Sequence, residues 1–154
     1  MDKDQIIPFV NASSEILTEL LKEKPIPGQV NVVDRINKTQ GLLIIIGITG
    51  GLSGRIIIDI TFEQVYQLTN AILREEVAHD NLELIESAIG ELGNMITGRA
   101  VSDLNEMGYN LNITPPTIVK GKEVEIMELK QKMLVVPLKT NIGDILLNLS
   151  VQKK

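Results

Sequence analysis

The chain of 154 residues has no cysteine, no tryptophan and a single histidine. Without cysteine there can be no disulfide, no thiolate metal site and no thiol nucleophile. The one imidazole, His79, lies in the polar stretch EEVAHDN between two helical patterns and reads as a solvated linker residue. One histidine without cysteine is a poor ligand set for zinc, so no metal site is expected. Aromatic residues make up only 3% of the chain, too few for base-stacking platforms. The net charge is −5 and the basic residues are scattered, which argues against nucleic acid as the main partner. The longest apolar run, residues 42–46, is too short to cross a bilayer. The opening MDKDQIIPFV lacks the basic and apolar regions of a secretory leader. A cytoplasmic protein is expected, and its chemistry has to come from carboxylates, amides or hydroxyls.

What is present is isoleucine, leucine and valine in regular patterns. The length suits a single domain over residues 1–154. From about Asp4 to Leu21 the apolar positions repeat with helical spacing, and KEKPIPG ends the run. VNVVDRI reads as a short strand. GLLIIIGITG and GRIIIDI read as a hairpin whose loop is GGLSG. Thr61 and Gln64 form a capping box that opens a second helix to about Glu75. A longer helix starts near Asn81, with Leu82, Ile85, Ile89, Leu92, Ile96, Ala100, Leu104 and Met107 along one side and Gly108 as its stop. NITPPTIVKG reads as a loop or irregular edge segment. KMLVVPLKT and GDILLNLSV form another strand pair around TNIG. The second hairpin echoes the first, and each follows a helix of matching character. Two similar halves, roughly 1–76 and 77–154, are therefore expected to merge their strands into one mixed or antiparallel sheet, with the long helices on one face: an α+β architecture. The isoleucine-rich strands LLIIIGI and RIIIDI are candidates for edge pairing between chains.

The longest helix contains SAIGELGNMITGRA, where Gly90, Gly93 and Gly98 fall within nine residues. Each glycine costs about 1 kcal/mol relative to alanine in a helix interior. At about 100° per residue, Glu91 lies about 40° from Ser87 and Asn94 about 20° from it on the other side. Glu83 and Gly98 lie within about 40° of Ser87. These five positions form one polar strip opposite the Leu/Ile stripe. An ordinary solvated face is one account of it; a flat docking surface presenting one carboxylate and one amide is the other. The glycines read as clearance around Glu91 and Asn94, or, for Gly93, as close packing against the first helix.

The pattern Ser87, Glu91, Asn94 in ESAIGELGNMITG resembles the signature of the CheC/CheX/FliY family of chemotaxis phosphatases, an Asp or Ser followed by Glu four residues later and Asn three after that. The opening PFVNASSEIL, the length, the helix order and the duplicated hairpins are also similar to CheX members of that family. The resemblance implies a CheC-like, pseudo-duplicated fold and hydrolysis of the aspartyl phosphate of a CheY-type response regulator. It implies that Asn94 orients the attacking water, that Glu91 reaches the regulator's lysine, and that Ser87 and Gly98 are peripheral docking contacts. It also implies no cofactor beyond the Mg2+ held by the regulator, and a homodimer through the sheet. The first helix offers Asn11, Glu15 and Thr18 at the matching positions, with threonine in place of asparagine, as in a one-site version of the fold. A module that binds or sequesters the regulator without catalysis is the competing reading.

Overall fold

The computed structural model describes residues 2–153. Three helices form. Helix α1, Lys3–Leu21, ends at Lys22 in the left-handed conformation, just before the prolines that forbid its continuation. Pro8 sits in the second turn, deeper than the first-turn position that proline prefers. It deprives the Asp4 carbonyl of a donor, and Asp4 is exposed, so solvent can serve that oxygen. Helix α2, Phe62–Leu73, opens on the expected box: Thr61 Oγ1 accepts from the Gln64 amide at 3.0 Å and Gln64 Oε1 from the Thr61 amide at 2.9 Å. The same Gln64 side chain donates to the carbonyls of Ile142 and Asp144, which ties α2 to the turn of the second hairpin. Helix α3, Leu82–Glu106, begins with Asn81 as its N-cap and stops at Met107, before Gly108 at φ +96°.

The strands are β1 Ile26–Pro27, β2 Asn31–Val33, β3 Arg35–Ile36, β4 Leu42–Gly50, β5 Leu52–Ile60, β6 Leu111–Ile113, β7 Thr117–Lys120, β8 Ile126–Met127, β9 Met133–Thr140 and β10 Gly143–Lys153. The hairpins β4–β5 and β9–β10 meet through an antiparallel β5–β10 pairing, with Ile58 opposite Leu147. The main sheet runs β1-β9-β10-β5-β4-β6, with β2 also on β9 and β7 also on β4. Side chains alternate across it. Ile44, Ile46, Ile56, Ile58, Leu147 and Leu149 face the helices and share a core with Phe9, Ile16, Ile89, Leu92 and Ile96. On the reverse face Leu43, Ile57 and Met133 form a smaller cluster with Ile36, from the short β3–β8 ribbon. All three helices thus pack on one face of an antiparallel sheet, the expected α+β layering.

Three expectations change. LLIIIGI and RIIIDI are interior strands, β4 between β5 and the β6/β7 pair and β5 between β4 and β10. With both edges paired, they are closed to edge-to-edge association. GGLSG is mostly strand: only Gly51 lies outside β4 and β5, because β10 extends far enough to pair Lys153 with Leu52 and Val151 with Gly54. A Cβ on Gly54 would sit 1.7 Å from the Ser150 carbonyl oxygen, which explains the glycine there. NITPPTIVKG narrows from loop or irregular edge segment to the edge segment, since its two ends are the short strands β6 and β7 laid on β4.

One buried charge faces away from the helices. Asp59 is fully buried in β5; its Oδ1 accepts from the Gln40 amide at 2.9 Å and its Oδ2 has no partner. Burial pushes its carboxyl from 3.8 up to about 6, with the Gln40 hydrogen bond pulling the other way. The corresponding position of the second hairpin holds Asn148, an amide that donates to the Ile57 carbonyl at 3.1 Å. Because the folded chain holds this proton more tightly than the unfolded chain, stability falls as pH rises from 3.8 through about 6. Asp59→Asn is expected to raise stability at pH 8 by roughly 2 kcal/mol and to flatten the profile below pH 6. Urea unfolding at pH 4.5 and pH 8 tests this; an equal pH dependence in both proteins would refute it.

Candidate functional site

Helix α3 carries the strip. Its inner side, Ile85, Ile89, Leu92, Ile96 and Leu104, is buried against the sheet and α1. That burial fixes the rotation of the helix, and the residues opposite are turned outward. Glu83, Ser87 and Glu91 are exposed, and Asn94 and Gly98 are partly exposed. Glu91 and Asn94 stand three residues apart, so their side chains are neighbours on the helix surface. Among the described residues neither makes a hydrogen bond or an ion pair. A carboxylate and an amide are thus presented side by side on a rigid element with no internal use. The carboxylate can grip a cation, and the amide can accept from a water while donating elsewhere.

The three glycines divide. A Cβ on Gly93 would stand 2.7 Å from Ile44 Cγ2 and 3.0 Å from Ile46 Cδ1, so Gly93 lets α3 settle onto β4. It serves the sheet, where the first helix was the expected neighbour. Gly90 is buried beneath Pro116, whose Cγ lies 3.4 Å from where a Cβ would be. Only Gly98, with nothing within 4 Å, is open clearance on the strip. The sequence reading of clearance therefore holds for one glycine of three, because helical angles alone do not reveal what stands beside the helix.

On one flank of the strip lies α1. Arg99, the one basic residue of α3, pairs with Glu15 at 3.2 Å and approaches Glu19 at 3.8 Å. Glu15 of the first-helix motif is thereby engaged in joining two helices, and Thr18 Oγ1 donates to the Ser14 carbonyl at 2.6 Å. Arg99 did not stand out in the sequence; a single arginine on an otherwise acidic helix is the signal that could have drawn notice. His79 is exposed as expected, with its ring stacked on Tyr66 at 3.7 Å. Among the described residues no three His, Cys, Asp or Glu side chains gather to hold a metal. No helix among them is long and apolar enough to cross a membrane.

The sequence and the fold have known counterparts. Residues 42–139 match the family model described as "Chemotaxis phosphatase CheX". The CheY-P phosphatase CheX of Thermotoga maritima is 32% identical over 126 residues, covering 82% of this chain and 81% of that protein. The solved structure of the chemotaxis protein CheX from Desulfovibrio desulfuricans superposes with a TM-score of 0.84 at 28% identity, over 96% of this chain and 99% of that one. The CheX of a CheX–CheY complex with BeF3 and Mg2+ from Borrelia burgdorferi gives 0.80 at 28% identity, over 96% and 97%. The family match spans well over half of the chain, the Thermotoga relative is more than 30% identical over four-fifths of it, and the fold agrees: the chain belongs to the CheX family of chemotaxis phosphatases.

Proposed function

We propose that this protein dephosphorylates a CheY-type response regulator, with α3 as the surface that enters the regulator's active site. The observation that carries this is the outward, internally unpartnered Glu91–Asn94 pair on a rigid helix. The relatives' names support it, one being a CheY-P phosphatase and another a complex with CheY. The Asn94 amide holds a water in line with the acyl phosphate. The water oxygen attacks phosphorus, the bond from phosphorus to the regulator's aspartate oxygen breaks, and the aspartate leaves as carboxylate. Inorganic phosphate departs with the water's oxygen and its protons. Charge on the phosphoryl group is met by the Mg2+ and lysine of the regulator, and the phosphatase brings no cofactor of its own. Its contribution is positioning, which suffices because a phosphoryl group in such a site needs little further covalent help. Glu91 binds the regulator's lysine and sets the docking angle; Ser87 and Gly98 are contacts at the margin. The reaction takes place in the cytoplasm, where the regulator works.

The test is phosphate release from a phosphorylated receiver with the chain at one-hundredth of its concentration. A phosphatase clears the whole pool over many turnovers. A sequestering module protects at most one equivalent of receiver per chain and leaves the rest at its own rate, and that outcome would defeat the proposal.

We also infer a homodimer through the sheet. Since β4 and β5 are interior, the edges of the sheet are β1/β2 and β6/β7, and the first of these carries the apolar side chains Ile26 and Val32, 67% and 66% exposed. Sedimentation is expected to show a dimer that Ile26→Lys with Val32→Lys converts to monomer; a wild-type monomer at high concentration would exclude it.

A further inference from the structure

The segment between β6 and β7 reads Thr114-Pro115-Pro116, and nothing in the proposed chemistry uses it. It is held firmly. The Thr114 amide donates to the Gly47 carbonyl at 3.0 Å and the Gly47 amide donates to Thr114 Oγ1 at 2.8 Å, which clamps the arch to β4. Ile113 and Ile118, on either side of it, pack on the core. Taking Ile89 as the direction of the sheet, Gly90 lies about 100° around α3 and Asn94 about 140°. A residue at Gly90's angle is ordinarily half open to solvent, yet Gly90 is buried, and Pro116 is what stands over it. Asn94 is the next residue along that row, one turn further. Pro116 therefore stands over the row of α3 on which Asn94 is the next residue, and Pro115 beyond it is exposed.

We propose that Pro115 and Pro116 form a docking wall that sets how the regulator seats against Asn94. This rests on the phosphatase reading and adds the specificity element. A single convex helix offers a partner no resistance to rolling about the helix axis. A wall that stops this roll adds contact on the partner's flank and narrows the poses that the encounter samples, so the regulator binds more tightly in the seat that faces Asn94. A di-proline arch stops it at little entropic cost, because its backbone is already stiff before the partner arrives. Proline presents ring carbons and carbonyls and no N–H donor. The wall therefore meets apolar atoms of the regulator beside its phosphoaspartate, leaving the phosphoryl oxygens to Asn94 and to the regulator's own cation and lysine.

The experiment is steady-state phosphate release from a phosphorylated CheY-type receiver, with Pro115→Ala, the double variant Pro115→Ala with Pro116→Ala, and Gly90→Ala. The double variant is expected to raise KM about fivefold or more while kcat stays within about twofold, the signature of lost docking contact. Pro115→Ala, altering an exposed ring, gives a smaller rise of the same kind with an unchanged melting temperature. Gly90→Ala places its methyl in ordinary contact with Pro116, keeps the wall and keeps the wild-type KM. A double variant with wild-type KM overturns the proposal, as does a Gly90→Ala chain whose KM rises as much as the double variant's. If wild type does not accelerate release at all, the phosphatase reading falls. The wall is then judged by receiver binding to the immobilised chain, where equal affinity of wild type and double variant overturns it.

Discussion

Asn94→Ala is expected to lower the turnover of phosphorylated regulator roughly 100-fold or more, while regulator binding changes little. In the proposed mechanism the amide's work is confined to the water, which becomes reactive only when fixed against phosphorus; removing the group then leaves the interface otherwise intact. Asn94 is partly exposed and its side chain has no hydrogen bond to other described residues, so its loss should not disturb the fold. Melting temperature is the control. Glu91→Ala is expected to behave differently, weakening binding and turnover together, because in the proposed docking its carboxylate holds the partner and not the water. The two variants separate the roles by the split between kcat and KM. Phosphate release at the wild-type rate from Asn94→Ala would remove the assignment.

Gly93→Val is expected to destabilise the chain by about 3 kcal/mol or more, the upper range for forcing extra volume into a packed core. Even the first carbon falls 2.7 Å from Ile44 Cγ2. Ile44 cannot retreat: it is fully buried and its backbone is paired with Ile58 on one side and Ile118 on the other. Helix α3 would have to lift from the sheet, carrying the strip with it, so activity should fall with stability. Gly98→Ala is the counterpart. Its methyl meets nothing within 4 Å, so it should gain about 1 kcal/mol of helix propensity. It also adds bulk to the docking strip, so the KM for the regulator is expected to rise in a chain that is more stable. Urea unfolding with unchanged slope, beside steady-state kinetics, reads both effects. A Gly93→Val chain as stable as wild type would contradict the packing account; a Gly98→Ala chain with wild-type KM would take Gly98 out of the interface.

Much of this was legible from local pattern. The apolar runs of GLLIIIGITG and GDILLNLSV, the Thr61–Gln64 box and the seven-turn apolar stripe of α3 are short-range features, set by backbone geometry and by which side chains must leave water. They determined the elements, the one-sided helical layer and the direction in which Glu91 and Asn94 point. Only the tertiary structure decided what stands beside each element. The β5–β10 pairing and the laying of β6 and β7 on β4, all between strands far apart in sequence, closed the edges of the isoleucine-rich strands that looked free. The same assembly put Ile44 under Gly93, Pro116 over Gly90, Glu15 beside Arg99 and nothing over Gly98. A helical angle says which way a residue faces; whether it faces solvent, a sheet or a proline depends on long-range contacts that no local spacing encodes.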